Sequence, residues 1–414
     1  YKMNKEKLQK IYPWIVVALL SVVAFLNYLD RQMLSTMQDA MKLDIHELNE
    51  AQNFGRLMAI FMWIYAFVSP FAGSVADRLS RKWLVVGSLG VWSGVTLAMG
   101  HCTTFNQLYW LRAVMGISEA LYIPSSLSLI AEYHTGKARG LAIGIHTTGL
   151  YFGQAVGGFG AKLATTLSWQ QTFHWFGVIG VLYAVVLMFF LKDIRRESVV
   201  AKAGAALKKI PVGKSFAMIF SNMAFWVIIF YFASASIPGW GAKNWLPTLF
   251  HDRLAVPMDQ AGPISTITIA IASFIGVMVG GPLSDKWVKR NLRGRVYTSA
   301  IGLGLMIPAL VLLGLGNGYA ALILAGLIFG IGYGMFDTNN MPILCQFVPT
   351  RLRATAYGII NMVGVLMGAF CTEVLGKMKD GGHLGLAFAL FGVIAVLALA
   401  SQLLFLKPTT DNME

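Results

Sequence analysis

The sequence predicts an all-α polytopic membrane protein with twelve transmembrane helices, arranged as two pseudo-symmetric six-helix bundles. Three observations predict this fold. Hydrophobic residues make up 56% of the 414 residues and charged residues only 13%, whereas soluble domains carry about 25% charged residues. Apolar runs of roughly 20 residues recur from end to end, and each could cross a hydrocarbon core about 30 Å thick. A charged motif also recurs once in each half of the chain.

The loops between the predicted spans alternate in charge. Lys and Arg precede span one and follow spans two, four, six, eight and ten, whereas the loops after spans one and seven are acidic. The positive-inside rule therefore predicts that both termini are cytoplasmic. The predicted spans have approximate limits 14–37, 54–76, 83–101, 105–130, 139–163, 171–192, 215–250, 262–286, 294–315, 318–346, 353–376 and 385–406.

Charge and cysteine usage exclude several classes of protein. The net charge of +14 comes from Lys and Arg in short loops, a topological pattern that does not indicate a nucleic-acid partner. Cys102, Cys345 and Cys371 show neither disulfide nor metal-ligand spacing. The first apolar run lacks a cleavage site, so it is predicted to be a retained span. Short termini and the lack of an N-x-S/T sequon favour an integral protein of a bacterial inner membrane.

The repeated charged motif follows the second span of each half. Gly73-Ser-Val-Ala-Asp77-Arg78-Leu-Ser-Arg81-Lys82 is repeated as Gly281-Pro-Leu-Ser-Asp285-Lys286-Trp-Val-Lys289-Arg290. Equal placement in the two halves indicates a duplicated six-span unit. We therefore predict an N-terminal bundle over residues 1–192, a cytoplasmic basic linker over 193–214 and a C-terminal bundle over 215–414.

This G-x-x-x-D-[RK]-x-x-[RK]-[RK] loop, present twice among twelve spans, resembles the major facilitator superfamily over the whole chain. The resemblance implies a monomer and a cytoplasmic gate, in which the Asp pairs with a neighbouring helix end and basic residues latch the outward-open state. The residues that match the gate are Gly73, Asp77, Arg78, Arg81, Lys82, Gly281, Asp285 and Arg290. A cluster that only sets topology is the alternative, although the positive-inside rule does not require the repeated Asp.

Charged residues also lie inside two apolar spans. Asp30 and Arg31 end the stretch Asn27-Tyr28-Leu29-Asp30-Arg31 in span one. Arg112 and Glu119 in span four are two helical turns apart, so they share a helix face. Because charges at bilayer depth are costly, such residues normally face a bundle interior or a watery cavity and mark a transport path or proton relay. A pair that only locks two helices together is the alternative.

The chemistry of these side chains predicts separate roles for them. Burial raises the pKa of a carboxyl group and a nearby Arg lowers it, so a carboxylate whose Arg partner changes between states can carry a proton. We predict Asp30 and Glu119 as the protonation sites. Arg31 is predicted to bind an anionic substrate, because Arg binds carboxylate bidentately and keeps its charge.

A second resemblance narrows the substrate. N-Y-L-D-R in span one, Trp63-Ile-Tyr65 in span two, R-x-x-x-G-x-x-E in span four and Asn361 resemble the anion:cation symporter family, which includes galactonate and hexuronate permeases and sialic acid transporters. The resemblance implies proton handling by Asp30 and Glu119. The implied substrate contacts are Arg31, Tyr65, Gln154, Thr338, Asn340 and Asn361. We also predict substrate contacts for Tyr28, Arg112 and Asn244. For Tyr65, Gln154, Thr338 and Asn340, an ordinary interhelical hydrogen bond is the alternative.

Three residues depart from that family's pattern. Lys243 in span seven and Asp337 in span ten form a charge pair that the compared relatives lack. The pair predicts either an ion pair within the second half or a contact between Lys243 and a second anionic or polar substrate group. His146 in span five favours a satisfied interior histidine over a proton relay.

Together these patterns predict a proton-coupled symporter, and no enzyme, that imports an organic anion by alternating access. The preferred substrate is a sugar acid: a hexuronate, an aldonate or sialic acid. Protons are the coupling ion, and no cofactor is expected. The alternative is a spinster-like transporter of lysolipids or sphingolipids, which shares N-Y-L-D-R and G-x-x-E-A. Pro124 and Thr338-Asn339-Asn340 favour a small hydrophilic substrate over a lipid.

Overall fold

A computed structural model describes residues 2–134, 137–193, 212–349 and 352–409, without the side chains of residues 2–9, 73, 74, 76–78, 137 and 212. The described part of the chain is helical and contains no strand. A short 3₁₀ turn, His46–Asn49, precedes α3. The helices are α1 (Lys2–Leu34), α2 (Gln38–Met41), α3 (Ala51–Arg78), α4 (Arg81–Met99), α5 (Phe105–Ala120), α6 (Tyr122–Tyr133), α7 (Lys137–Gly157), α8 (Gly160–Thr166), α9 (Trp169–Phe190), α10 (Val212–Phe220), α11 (Met223–Leu254), α12 (Met258–Val288), α13 (Gly294–Leu315), α14 (Tyr319–Asp337), α15 (Asn340–Phe347), α16 (Arg353–Asp380) and α17 (Leu384–Phe405).

The helices of this chain build an integral membrane protein. Eleven helical stretches of the described residues are long and apolar enough to cross a membrane, two of them formed by α5–α6 and α14–α15. The twelfth predicted position, span five, is occupied by α7, which is 21 residues long. Its glycines, threonines, His146 and Gln154 lower its hydropathy, but it packs along the length of α1.

The fourth span of each half is broken next to a carboxylate. A Pro lacks a backbone N–H, and its ring clashes with the carbonyl four residues earlier. Pro124 therefore separates α5 from α6, and Pro342 separates α14 from α15. Glu119 and Asp337 each precede the Pro of their own half by five residues. Each half thus carries a carboxylate at a helix break.

The seventh span begins later than predicted. The predicted limits were 215–250, but α10 ends at Phe220 and α11 starts at Met223. Asn222 causes the break because its side-chain oxygen accepts a hydrogen bond from the backbone N–H of Ala224 at 3.0 Å. Its amide nitrogen also donates to the carbonyl of Phe347 at 3.0 Å, which ties the break to the end of α15. Such a cap favours a new helix start over a continuous helix.

Two arginines show that the duplication extends to side-chain contacts. Arg139 donates to the carbonyl oxygens of the residues five and eight positions earlier, both at 3.2 Å. Arg353 repeats this pattern at 3.2 Å and 3.0 Å. These carbonyls end α6 and α15, where the last carbonyls of a helix lack partners within it. The fifth span of each half therefore caps the fourth span in the same way.

Glycines set the closest helix crossings. A Cβ atom on Gly153 would lie 2.3 Å from the carbonyl oxygen of Phe25, so α7 reaches α1 only because the side chain is absent. Gly158, in the turn after α7, makes a similar crossing with Gly262 on α12, since a Cβ on Gly262 would lie 2.3 Å from the carbonyl oxygen of Gly158. The first crossing lies within one half, and the second joins the halves.

The two halves contact each other at the end that is opposite the basic loops. Asp380 accepts hydrogen bonds from the backbone N–H groups of Ala51 and Gln52 at 2.8 Å and 2.9 Å. The side chain of Gln32 donates to the carbonyl of Lys243 at 2.9 Å. These bonds tie α1 and α3 of the first half to α11 and α16 of the second, and they close this end.

The end that carries the basic loops is less closely joined. Among the described residues, the hydrogen bond between halves that lies nearest to these loops runs from Asn361 to Ser69, at 3.3 Å. Farther along α7 and α16, a Cβ atom on Gly140, Gly144 or Gly358 would meet no atom within 4 Å. The space between the halves therefore opens toward the basic loops.

Candidate functional site

The centre of the first half holds a buried ion pair between α1 and α5. The Nε atom of Arg31 lies 2.6 Å from Oε2 of Glu119, and their side chains are 13% and 0% exposed. The Oε1 atom of Glu119 and one terminal nitrogen of Arg31 have no hydrogen-bond partner among the described residues. Glu119, the predicted proton carrier, and Arg31, the predicted substrate anchor, therefore contact each other. Each also has one polar atom that no described residue contacts.

Aromatic rings surround the Arg31 guanidinium. Its central carbon lies 5.1 Å from the ring centre of Tyr28, 4.7 Å from that of Phe61 and 5.2 Å from that of Tyr65. The guanidinium of Arg112 lies 4.9 Å from the same Phe61 ring. These contacts stabilise a cation at low dielectric without neutralising it. The sequence analysis missed Phe61, which gives no signal of its own because it is one of many Phe residues in apolar spans.

Arg112 is enclosed more completely than Arg31. It is 4% exposed, and among the described residues its side-chain hydrogen bond runs from a terminal nitrogen to the sulfur of Met115, at 3.3 Å. In this conformation Arg112 is therefore too enclosed to make its predicted contact with substrate. Its position against Phe61 makes it a neighbour of the Arg31 site.

Asp30 has a different environment from Glu119. Asp30 is 8% exposed and lies 3.4 Å from the hydroxyl of Thr96 on α4, whose single proton is also within reach of the carbonyl of Trp92, at 3.0 Å. Asn27, one turn earlier, is fully buried, and neither atom of its amide has a hydrogen-bond partner among the described residues. The two predicted proton carriers thus differ, since Glu119 faces a guanidinium and Asp30 faces a neutral hydroxyl.

The second half holds a cation and a carboxylate that do not touch. The ammonium of Lys243 on α11 lies 4.6 Å from the ring centre of Trp240 and 5.4 Å from that of Tyr333. Asp337 is exposed, and its only hydrogen bond to a described side chain comes from the amide of Asn340, at 3.5 Å. No ion pair of 4.0 Å or less joins Lys243 to Asp337. The ion pair that was one interpretation of these residues does not form in this conformation.

Three further predicted contacts lie where the helices meet. Asn244 donates to the hydroxyl of Thr372 at 2.8 Å, and Asn361 donates to Ser69 at 3.3 Å. Gln154 is 4% exposed and, with Gln32 and Lys243, lines a narrow crevice between the halves. Asn244 and Asn361 thus form interhelical hydrogen bonds in this conformation, while Gln154 lines the same crevice as Lys243.

His146 on α7 lies within the first half. Its Nε2 atom is 2.8 Å from the hydroxyl of Tyr122, which donates to the carbonyl of Leu20 at 2.8 Å. Since a hydroxyl has one proton, His146 must be the donor in this contact, so its Nε2 carries a proton. Its Nδ1 has no hydrogen-bond partner among the described residues. His146 thus resembles the interior histidine that the sequence favours over a proton relay. One of its two ring nitrogens has a hydrogen-bond partner.

The first copy of the predicted gate is described in part. Gly73, Asp77 and Arg78 lie outside the residues whose side chains the structure describes. Arg81 forms an ion pair with Glu132 at the end of α6. The ammonium of Lys82 donates to the carbonyl of Met188 at 2.7 Å. The basic residues therefore hold α4 against α6 and α9 of the same half.

In the second copy the carboxylate pairs with an arginine outside the repeated motif. Asp285 pairs with Arg295 at 2.8 Å, and Arg290 is exposed. A Cβ on Gly281 would lie 3.7 Å from the hydroxyl of Thr338, which is an ordinary contact. Glu132 and Arg295 were missed in the sequence analysis because both lie outside the repeated motif.

Two more carboxylates that the sequence analysis did not select bridge the halves. The indole N–H of Trp63 donates to Glu373 on α16 at 2.9 Å, and Asp380 caps α3 as described above. Glu373 lies inside a predicted span, so the criterion that selected Asp30 and Glu119 would also have found it. Asp380 gave no such signal, because it lies at a helix end.

The described residues offer no cluster for a metal ion. No group of three His, Cys, Asp or Glu side chains among them could hold one. Cys102, Cys345 and Cys371 are all buried and carry free thiols.

Comparison with known proteins gives the family. The model of the Major Facilitator Superfamily matches residues 20–372. The 4-hydroxybenzoate transporter of Pseudomonas putida is 29% identical, covering 97% of this chain and 92% of that protein. The hexuronate transporter of Escherichia coli (strain K12) is 26% identical, covering 94% and 92%. A crystal structure of a bacterial homologue of the human lysosomal transporter Spinster, inward-facing and unoccupied, has a TM-score of 0.77 at 20% identity, covering 95% of this chain and 96% of that one. The chain belongs to the major facilitator superfamily and is a transporter rather than an enzyme, which confirms the resemblance predicted from the repeated loop motif.

Proposed function

We propose that this protein is a proton-coupled symporter that imports an organic acid, preferably a sugar acid, by alternating access. The observation that carries the proposal is the contact of 2.6 Å between Arg31 and Glu119. A substrate carboxylate and the Glu119 carboxylate would compete for the same guanidinium. The two relatives named above are transporters of hexuronate and 4-hydroxybenzoate, both of which carry a carboxylate, and this supports the proposal.

Competition for Arg31 couples the proton to the substrate. A proton on Glu119 removes its charge, which leaves the guanidinium available for the substrate carboxylate. Loss of that proton restores the Glu119–Arg31 contact and displaces the substrate. Asp30, which faces the Thr96 hydroxyl at 3.4 Å, is the second proton carrier in this scheme. Substrate and proton thus shift the equilibrium between states through their different affinities for each state.

The contacts between the halves fit this cycle. We place the basic loops in the cytoplasm of a bacterial inner membrane, following the positive-inside rule. The central space then opens inward, because the halves touch at the opposite end. In such an inward-open state the substrate has left, and Glu119 is expected to hold Arg31, as it does here.

An aromatic acid is the second candidate substrate. The observation that favours it is the set of three rings, Tyr28, Phe61 and Tyr65, within 5.2 Å of the Arg31 guanidinium. A flat substrate could stack on such rings. A sugar acid instead needs hydrogen-bond partners for its hydroxyls, and the polar side chains of Asn340, Asp337 and Gln154 supply candidates.

The test is ligand binding and transport by the purified protein with variants of the ion pair. We expect one acid among galacturonate, galactonate, sialic acid and 4-hydroxybenzoate to raise the midpoint of thermal unfolding. Arg31→Ala should abolish that shift. Glu119→Gln mimics the protonated carboxyl, so in proteoliposomes it should keep exchange of substrate but lose accumulation driven by a proton gradient. Arg56→Ala removes an exposed arginine and is the matched control.

Two results would contradict the proposal. If the Arg31→Ala variant still binds an acid as tightly as the unmodified protein, Arg31 does not anchor the substrate. Stabilisation by a lysolipid alone would favour the spinster-like alternative, in which the substrate is a lipid.

A further inference from the structure

The two halves repeat one arrangement of charges. α1 and α11 are the first spans of the two halves, and each carries a cation, Arg31 or Lys243. The fourth span of each half carries a carboxylate five residues before the Pro that breaks it, Glu119 or Asp337. Lys243 and Asp337 therefore lie on the same two spans of the second half, its first and fourth, as Arg31 and Glu119 do in the first half.

The second copy of this arrangement is open. Arg31 and Glu119 are in contact at 2.6 Å, whereas no distance of 4.0 Å or less joins Lys243 to Asp337. Lys243 is partly exposed and Asp337 is exposed, so both are accessible from the space between the halves. Gln32, which follows Arg31 on α1, donates to the backbone carbonyl of Lys243 at 2.9 Å, so the two cations flank the same contact between the halves. Two cations from opposite halves therefore act on one central space.

The separated pair selects one kind of chemical group. A plain carboxylate would be attracted to Lys243 and repelled by Asp337. An α-hydroxycarboxylate suits both residues, because its carboxylate accepts from the ammonium while its hydroxyl donates to Asp337. The rings of Trp240 and Tyr333 hold the ammonium without neutralising it.

We propose that this second pair binds the far end of a hydroxylated dicarboxylate, so that the substrate is an aldarate, a sugar acid with a carboxylate at each end. One carboxylate binds Arg31 in the first half, and the α-hydroxycarboxylate at the other end binds Lys243 and Asp337 in the second half. Such a substrate bridges the halves. This inference rests on the proposed function and adds the number and kind of charged groups on the substrate.

The experiment compares three acids by titration calorimetry on the full chain in detergent. Galactarate has two carboxylates with α-hydroxyls, galactonate has one carboxylate, and adipate has two carboxylates without hydroxyls. We expect galactarate to bind at least tenfold more tightly than galactonate. Lys243→Gln should weaken the binding of galactarate at least tenfold more than the binding of galactonate, since a hydrogen bond to a charged group is lost.

Asp337→Asn gives the sharper signature, because its effect should change sign between the two diacids. The substitution should weaken the binding of galactarate, because a charged hydrogen-bond acceptor is lost. It should strengthen the binding of adipate, because a repulsive charge is removed. Lys162→Gln, at an exposed lysine on α8, is the matched control. The midpoint of thermal unfolding without ligand checks the folding of each variant, and Lys243→Arg retains the charge if Lys243→Gln does not fold.

The outcomes separate this inference from the proposed function. If galactonate or another monocarboxylate binds to the Arg31 site and galactarate binds no more tightly, this inference is wrong and the proposed function stands. Equal weakening of galactarate and galactonate by Lys243→Gln would also overturn it. If none of the acids binds the unmodified protein, both proposals are wrong.

Discussion

The two halves of this transporter share one architecture but use their central charges differently. Both break the fourth span with a Pro five residues after a carboxylate, and both cap that span with an Arg from the fifth span. In the first half the carboxylate, Glu119, is fully buried and holds Arg31 at 2.6 Å. In the second half, Asp337 is exposed and does not contact Lys243.

This difference indicates that the halves divide the work. A buried pair in which one partner can be protonated has two discrete states, which suits the coupling of a proton to a substrate. An open pair leaves both groups available, which suits recognition of substrate. Under the proposed function, the two halves keep the same backbone arrangement, and the closeness of one ion pair separates their roles. Three predictions test this division, from the largest expected effect to the smallest.

The first prediction concerns the stability that each carboxylate supplies. Glu119→Ala leaves the Arg31 cation without its partner in a largely buried site, so we expect a loss of about 3 kcal/mol in the free energy of unfolding. Asp337→Ala removes an exposed, unpaired carboxylate and should cost less than about 1 kcal/mol. Chemical unfolding of both variants in detergent measures the difference. Equal losses would mean that the halves do not differ in this way.

The second prediction concerns how the first and fifth spans of each half cross. A Cβ on Gly153 would lie 2.3 Å from the backbone oxygen of Phe25, whereas a Cβ on Gly364 would meet the ring of Phe232 at 2.5 Å. Backbone cannot move aside as a ring can, so Gly153→Ala should cost about 2 kcal/mol and Gly364→Ala about 1 kcal/mol. Thermal unfolding measures both.

Gly358→Ala is the control for that pair, because a Cβ there would meet no atom within 4 Å. We expect it to be neutral or slightly stabilising, since Ala is a better helix former than Gly. A larger loss in Gly364→Ala than in Gly153→Ala would show that the crossing in the second half is the tighter one.

The third prediction separates contacts between the halves from contacts within one. Asp380→Ala removes the cap of α3 and should favour opening of that end by about 1–2 kcal/mol. Asp252→Ala breaks an ion pair of 2.5 Å with Lys379 inside the second half, and it should leave the conformational equilibrium unchanged. Nitroxide labels at Leu43→Cys and Asn317→Cys, both exposed at this end, report the separation. A longer distance in Asp252→Ala would contradict this interpretation.

Most of the fold was predicted from the sequence, because apolar run length and loop charge are local properties. The all-helical fold and the family were confirmed. The start of the seventh span was wrong, since the cap formed by Asn222 depends on contacts that hydropathy does not record. Both Pro residues of the fourth spans are visible in the sequence. Their equal spacing from Glu119 and Asp337 could be interpreted only once the structure showed that each helix breaks there.

The sequence predicted which charged residues belong to the candidate site, but not which of them contact each other. Asp30, Arg31, Glu119, Lys243 and Asp337 were all selected because charges in apolar spans are costly. The roles assigned to them stay predictions. Phe61 and Glu132 were missed because an aromatic residue or a carboxylate at a helix end gives no signal until its neighbours are known.

The sequence by itself determined the membrane class, the duplication and the identity of the buried charges, since each follows from composition, period and repetition along the chain. Only the tertiary structure decided which charges meet. Arg31 contacts Glu119 88 positions away, while Lys243 and Asp337 stay apart. The physical reason is that an ion pair depends on separations of a few ångströms between helices, which the close approach of backbones at glycines and the kinks at prolines determine together.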